Sequence, residues 1–255
     1  MTAAGPAPVR ERMRRLVLLV VTALVVVPVA CGDGSTRRTP PPTPSATPTE
    51  PAVNPTPRPT SGDVLVAALG DSITAGSPLY DPDPEVREQI GSSLDLRSQY
   101  EYWYTASHPR YRFRNCGIFG QRTDEIARRL DACVKGARVL VVQGGINDIA
   151  QGRDVADAAR DITTMIRAGK RLGLQVATVQ VLPWNNGPPE AAQLIRRLNA
   201  LIAAAAKAEG VPLFRWYAAL DDPAAPGRMR KGLTDDGNHP SVEGYERLAA
   251  AMTLP

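Results

Sequence analysis

Histidine is almost absent from this chain: there are two in 255 residues, His108 and His239. Cysteine is nearly as scarce, with three: Cys31, Cys116 and Cys133. Two histidines and these cysteines do not make a zinc set, so no metal is expected. A charge surplus is missing where it would matter. The formal net charge is +4, but the surplus lies in residues 1–61, and residues 62–255 balance. A nucleic-acid binder concentrates positive charge on its folded part, so that class is excluded. No internal repeat is visible. "GGIND" (144–148) has neither the lysine nor the spacing of a P-loop. The apolar run 16–30 would span about 22 Å as a helix, short of a hydrocarbon core of ~30 Å.

That run follows four arginines and precedes Cys31, the order of an export leader. "VPVACG" is similar to the lipobox of bacterial lipoproteins, with Pro28 where leucine usually stands. Residues 1–31 are therefore read as a leader with lipidation at Cys31. Cleavage to a free secreted form and an uncleaved anchor are the alternatives. All three put the folded part outside the cytoplasm, with membrane contact only through the N-terminal anchor. Residues 32–61 are rich in Pro and Thr and poor in apolar side chains, a semi-stiff spacer that favours extended polyproline-II. Residues 62–255 form the one folded domain, expected as a monomer.

From residue 63 short apolar runs alternate with helical patterns. Strands are expected at 64–69, 111–115, 137–143, 174–182 and 211–217. Helices are expected from Thr123, along the stripe Val155, Ala159, Ile162 and Ile166, over 190–209, and after Ser241. The alternation implies a parallel sheet covered on both faces, which binds ligands at the C-terminal ends of its strands. "GDS" (70–72), "NCGIFG" (115–120), "GGIND", "PWNNG" (183–187) and "TDDGNH" (234–239) each follow one strand. Five polar loops thus converge on one edge.

Ser72, between a buried strand and a helix start, can attack a carbonyl and offer its own N–H to the oxyanion. His239 is the better base, because no acidic residue stands beside His108 in sequence. Asp236, three residues before His239, can orient the imidazole. Asp235 is its rival, less well spaced. Gly120 and Asn147 offer further donors for the oxyanion. Asp71 is read as a loop brace, Asp148 as a turn former or cap, and Gly117 as a turn glycine. Trp184 is a candidate wall of the substrate pocket. The aromatics of "YEYWY" (100–104) serve either to stack on a sugar or, the favoured reading, as a small core for the segment 76–110. Arg110, Arg112 and Arg114 read as a solvated strand edge. If Cys116 tops a strand and a helix of about ten residues runs back to Cys133, the two lie roughly 15 Å apart along the axis. A disulfide needs Cα atoms within about 7 Å, which a bent or shorter helix would allow. A disulfide and two buried thiols stand as equal alternatives.

Gly70-Asp71-Ser72, Gly120, Gly145-Ile146-Asn147-Asp148 and Asp236-Gly237-Asn238-His239 resemble, in order, the four blocks of the SGNH (GDSL) hydrolase family. The resemblance spans about residues 63–252. It implies a three-layer α/β/α sandwich with a flavodoxin-like, parallel five-stranded sheet, and ester hydrolysis without a cofactor. It implies Ser72 as nucleophile, His239 as base and Asp236 as its partner, with an oxyanion hole from the Ser72 and Gly120 N–H groups and the Asn147 side chain. The long segment 76–110 departs from the pattern and leaves the substrate open. The expected activity is a serine esterase acting on a small-acyl or carbohydrate-borne ester, a small molecule or polysaccharide. A lipase or lysophospholipase of the same family is the alternative, less favoured because no long apolar lid is evident. A non-catalytic, glycan-binding surface lipoprotein is the other.

Overall fold

The computed structural model describes residues 62–255; the leader, Cys31 and the Pro/Thr-rich spacer lie outside the described residues. Five parallel strands form the main sheet: β1 (Val64–Gly70), β2 (Tyr111–Gly117), β3 (Val139–Val142), β4 (Gln175–Val179) and β5 (Leu213–Phe214), in the order β2-β1-β3-β4-β5. This is the flavodoxin-like order, in which the chain leaves β1 in one direction for β2 and returns on its other side for β3.

Residue alternation along the strands sorts the core into two layers. Val64, Val66 and Ala68 of β1 and Val139 and Val141 of β3 face one way. They meet α3 (Tyr100–Ser107), α9 (Trp216–Leu220) and α10 (Val242–Ala250). Ala67, Leu69, Leu140 and Val142 face the other way. There they meet α4 (Thr123–Ala127), α5 (Leu130–Cys133), α6 (Ile146–Ala150), α7 (Val155–Arg171) and α8 (Ala191–Glu209). The remaining helices are the single turn α1 (Ser72–Ala75) after β1 and α2 (Pro84–Ile90).

Three local expectations change. The run 211–217 is a strand only at Leu213–Phe214, and from Trp216 it turns into α9. The Trp216 indole is fully buried and meets Tyr100 at 4.8 Å, so tertiary packing overrides a locally strand-like aromatic run. Residues 221–229 hold a small antiparallel pair, β6 (Asp221–Asp222) and β7 (Ala225–Met229), which the sequence pattern did not suggest. The helix from Thr123 is broken at Arg128–Arg129 into α4 and α5. The break brings Cys133 to a Cα distance of 6.1 Å from Cys116, and the two form a disulfide.

The segment 76–110 folds as α2, a 3-10 turn at Gly91–Ser93, and α3. Tyr100 and Tyr104 are buried, with Phe113 and Trp216 against the first and Tyr111 and Phe113 against the second. The aromatics of 100–104 thus include the core that docks this segment, as the structural reading had it. On the edge strand β2, Arg112 pairs with Asp63, and Arg114 donates to the carbonyls of Cys133 and Lys135.

Candidate active site

The loops after β1 and β3 open on either side of the point where strand order reverses, the crevice that ligands use in such sheets. At the end of β1 the chain turns sharply into α1. Gly70 is required there: a Cβ would lie 2.2 Å from Thr74 Oγ1 and 2.3 Å from Gln143 Oε1. Asp71 caps α1 by accepting from the Ile73 N–H at 2.9 Å, and its own N–H donates to Gln143 Oε1 at 3.0 Å. Thr74 Oγ1 donates to the same oxygen at 2.9 Å. Gln143, just past the last residue of β3, therefore locks the serine corner from beneath. Asp71 is the brace expected of it.

Ser72 is the first residue of α1 and only 4 % exposed. His239 arrives from the turn before α10. Its Nε2 lies 3.1 Å from Ser72 Oγ, and its Nδ1 lies 2.7 Å from Asp236 Oδ2. Asp236 also folds the turn: its Oδ1 accepts from the N–H groups of Asn238 at 2.8 Å and His239 at 2.7 Å. Serine, imidazole and carboxylate are thus brought into one hydrogen-bonded line. The other histidine, His108, ends α3 and stacks on Tyr104 at 4.2 Å. Asp235 is exposed, and no hydrogen bond among the described residues joins it to His239.

The N–H groups of Ser72 and Gly120 enter no hydrogen bond within the described residues. Gly120 has φ 77°, in the left-handed region that favours glycine. Its carbonyl is held by Gln151 Nε2 at 2.9 Å. Asn147, in the first turn of α6, donates from Nδ2 to the Gln121 carbonyl at 3.0 Å, and its amide keeps a second hydrogen. Asp148 caps the start of α4, accepting from Thr123 N–H at 2.9 Å and Oγ1 at 2.8 Å, and pairs with Arg153. Gly117 abuts the serine helix so closely that a Cβ would lie 2.0 Å from Ala75 N. Half-buried Arg129 ties the ends of both strands, donating to the carbonyls of Cys116 at 2.7 Å and Gly70 at 3.0 Å, and to Gln121 Oε1 at 2.8 Å.

Trp184 is bonded into the histidine turn. Its Nε1 donates to Asn238 Oδ1 at 2.6 Å. In the same loop the Asn185 N–H donates to the Gly237 carbonyl at 2.9 Å, and Asn186 Nδ2 donates to the Asp236 carbonyl. The loop after β4 thus grips the histidine turn along its length. The sequence marked "PWNNG" as a site loop but not this role. Nothing in the local sequence marks Arg129 or Phe119. For Gln143 a signal existed: it is a polar residue closing an otherwise apolar strand.

The carboxyls near the serine differ in character. Burial pushes Asp71 up to about 6, against the opposing hydrogen bond from Ile73. Partial burial would also raise Asp236, but the His239 N–H, the imidazole and the Asn238 N–H outweigh it and hold that carboxyl below its usual value.

Fold and geometry together define a flavodoxin-like α/β domain with a serine–histidine–aspartate relay at the C-terminal edge of its sheet. Residues 68–247 match the GDSL-like Lipase/Acylhydrolase family, and the chain belongs to it. No curated protein matches the chain in sequence. Among solved structures, a G-D-S-L family protein from Desulfitobacterium hafniense superimposes with a TM-score of 0.61 at 18 % identity, over 74 % of this chain and 97 % of that one. A GDSL-like lipase from Bacteroides thetaiotaomicron gives 0.59 at 24 % identity, over 73 % and 84 %. A member of the lipolytic protein G-D-S-L family from Veillonella parvula gives 0.59 at 18 %, over 74 % and 95 %. At these identities the likeness is one of fold.

Proposed function

We propose that the chain is an exported serine esterase that hydrolyses a small-acyl or carbohydrate-borne ester through an acyl-enzyme. The observation that carries this is the unbroken relay from Ser72 Oγ through His239 to Asp236, at 3.1 and 2.7 Å. Oγ attacks the ester carbonyl carbon as Nε2 takes its proton, and Asp236 stabilises the imidazolium that results. The oxyanion is received by the N–H groups of Ser72 and Gly120 and by the Asn147 amide hydrogen that Gln121 does not use. His239 returns the proton to the departing alkoxide. Water, deprotonated by the same nitrogen, then releases the acid and restores Ser72.

Export rests on the leader-like residues 1–31 and the spacer 32–61, and on Cys31 as lipidation point. The Cys116–Cys133 disulfide supports an oxidising compartment. The test is turnover of p-nitrophenyl acetate, butyrate and octanoate by the native chain and by Ser72→Ala. The substitution is expected to reduce turnover at least ~10³-fold. Equal turnover by the two proteins removes the enzyme reading. A rate that climbs towards octanoate replaces the small-acyl reading by a lipase.

A further inference from the structure

Phe119 has no part in the relay, yet no other large apolar side chain among the described residues is as exposed, at 65 %. Its neighbour Ile118 is 43 % exposed. The pair is not at the tip of a loose loop. Gly117, immediately before it, is wedged against α1. Ile118 N–H donates to the Gly70 carbonyl at 3.2 Å, and its own carbonyl accepts from Gln121 N–H at 3.4 Å. Gln151 holds the carbonyl of Gly120 on the other side. The Phe119 ring lies 5.8 Å from the His239 ring, tilted by 38° rather than stacked on it, so the imidazole does not cover it. An aromatic ring carried on a held backbone and left open beside a serine–histidine pair is the arrangement of a binding platform.

Which half of an ester would meet it follows from the proton path, and so rests on the esterase reading above. The alkoxide oxygen must lie within reach of His239 Nε2, which gives it the proton, so the alcohol half departs on the histidine side. Phe119 stands beside that imidazole. Its following residue, Gly120, carries one of the free N–H groups. The geometry points to Phe119 as the residue that binds the alcohol half of the ester and selects alcohols with a flat apolar face, an aryl ring or the C–H face of a pyranose.

The experiment compares native chain, Phe119→Ala and Phe119→Trp on esters of one acid with different alcohols: ethyl acetate, phenyl acetate and an acetylated methyl glucoside. Phe119→Ala is expected to lower kcat/KM for the two ring alcohols by about three- to tenfold more than for ethyl acetate, the scale of one aromatic contact, and Phe119→Trp to restore the preference. The pH profile of kcat/KM should not move, because the ring acts on the alcohol and not on the imidazole. A uniform fall across all three alcohols overturns the assignment. So does a fall that follows acyl length in a phenyl acetate, butyrate and octanoate series, or a shifted pH profile. If Ser72→Ala is inactive while Phe119→Ala matches the native chain on every ester, this inference alone fails. If Ser72→Ala stays active, the esterase reading fails and this one with it.

Discussion

The two sides of the relay are built by different means. On the serine side, Asp71 and Thr74 are fully buried and Ser72 nearly so, and Gln143 bonds to two of the three from below. A side chain there is placed by packing, because no space exists for it elsewhere. On the histidine side, the Asp236 side chain is 35 % exposed, and Asp235 and Asn238 in the same turn are exposed as well. That turn is placed by hydrogen bonds: those it makes to itself through Asp236, and those from the loop 183–187. Damage on the first side should therefore appear in stability and its pH dependence, and damage on the second in turnover with the fold intact.

The largest effect is expected on the histidine side. Asp236→Ala removes the imidazole's partner and the acceptor that closes the turn, and kcat should fall by about 10⁴. Asp235→Ala touches neither and should stay within about twofold, the usual range for a surface change. Thermal unfolding of Asp235→Ala should match the native curve, and that of Asp236→Ala should be lowered only by the turn hydrogen bonds it loses, with the sheet and its helices intact. Equal losses of kcat at the two positions would mean that the turn as a whole, and not one carboxylate, orients His239.

The two carboxyls also oppose each other in pH. Asp71 titrates in the folded chain at about 6, above its ordinary 3.8. The folded state then holds the proton more tightly than the unfolded one. Asp71 costs nothing below pH 3.8, its cost grows between 3.8 and 6, and it is fully present above, at about 3 kcal/mol. Asp236 is shifted the other way. Its contribution is present above pH 3.8 and is lost as the pH falls through its lowered folded value. Asp71→Asn keeps an oxygen to accept from Ile73 N–H but cannot ionise. It should unfold like the native chain at pH 4 and be more stable by up to about 3 kcal/mol at pH 8, measured by urea unfolding. A gap that does not widen with pH would show that Asp71 is not desolvated as its burial implies.

The same contrast explains what could be read in advance. Ser72, Asn147, Asp236 and His239 stood out because polar residues that follow buried apolar runs have few structural reasons to be there. The order of runs fixed five parallel strands. What escaped depends on contacts distant in sequence. The helix break at Arg128–Arg129, on which the Cys116–Cys133 disulfide depends, has no local marker such as proline or glycine. The turn of 214–217 from strand to α9 is set by Trp216 packing on Tyr100, over a hundred residues away. Asn185 and Asn186 look like ordinary turn residues until the histidine turn is folded against them. Phe119, a lone aromatic between glycines, belongs to no period.

Trp184 gives the smallest and most discriminating test, since its place in the sequence suits a pocket wall while its bonding is that of a brace. Trp184→Phe keeps a smaller aromatic ring and removes the N–H that reaches Asn238 Oδ1 at 2.6 Å. A wall would lose substrate contact, and KM would rise with kcat unchanged. A brace would let the histidine turn drift, and kcat would fall with KM unchanged. The fall should be about three- to tenfold, the worth of one hydrogen bond expressed at the transition state. Asn238→Ala removes the other half of the same bond and should cost a similar factor. The double variant should then be scarcely slower than either single one, because the second change finds nothing left to break. Losses that multiply would assign Trp184 and Asn238 separate roles, and leave Asn185 and Asn186 as the hold of that loop on the turn.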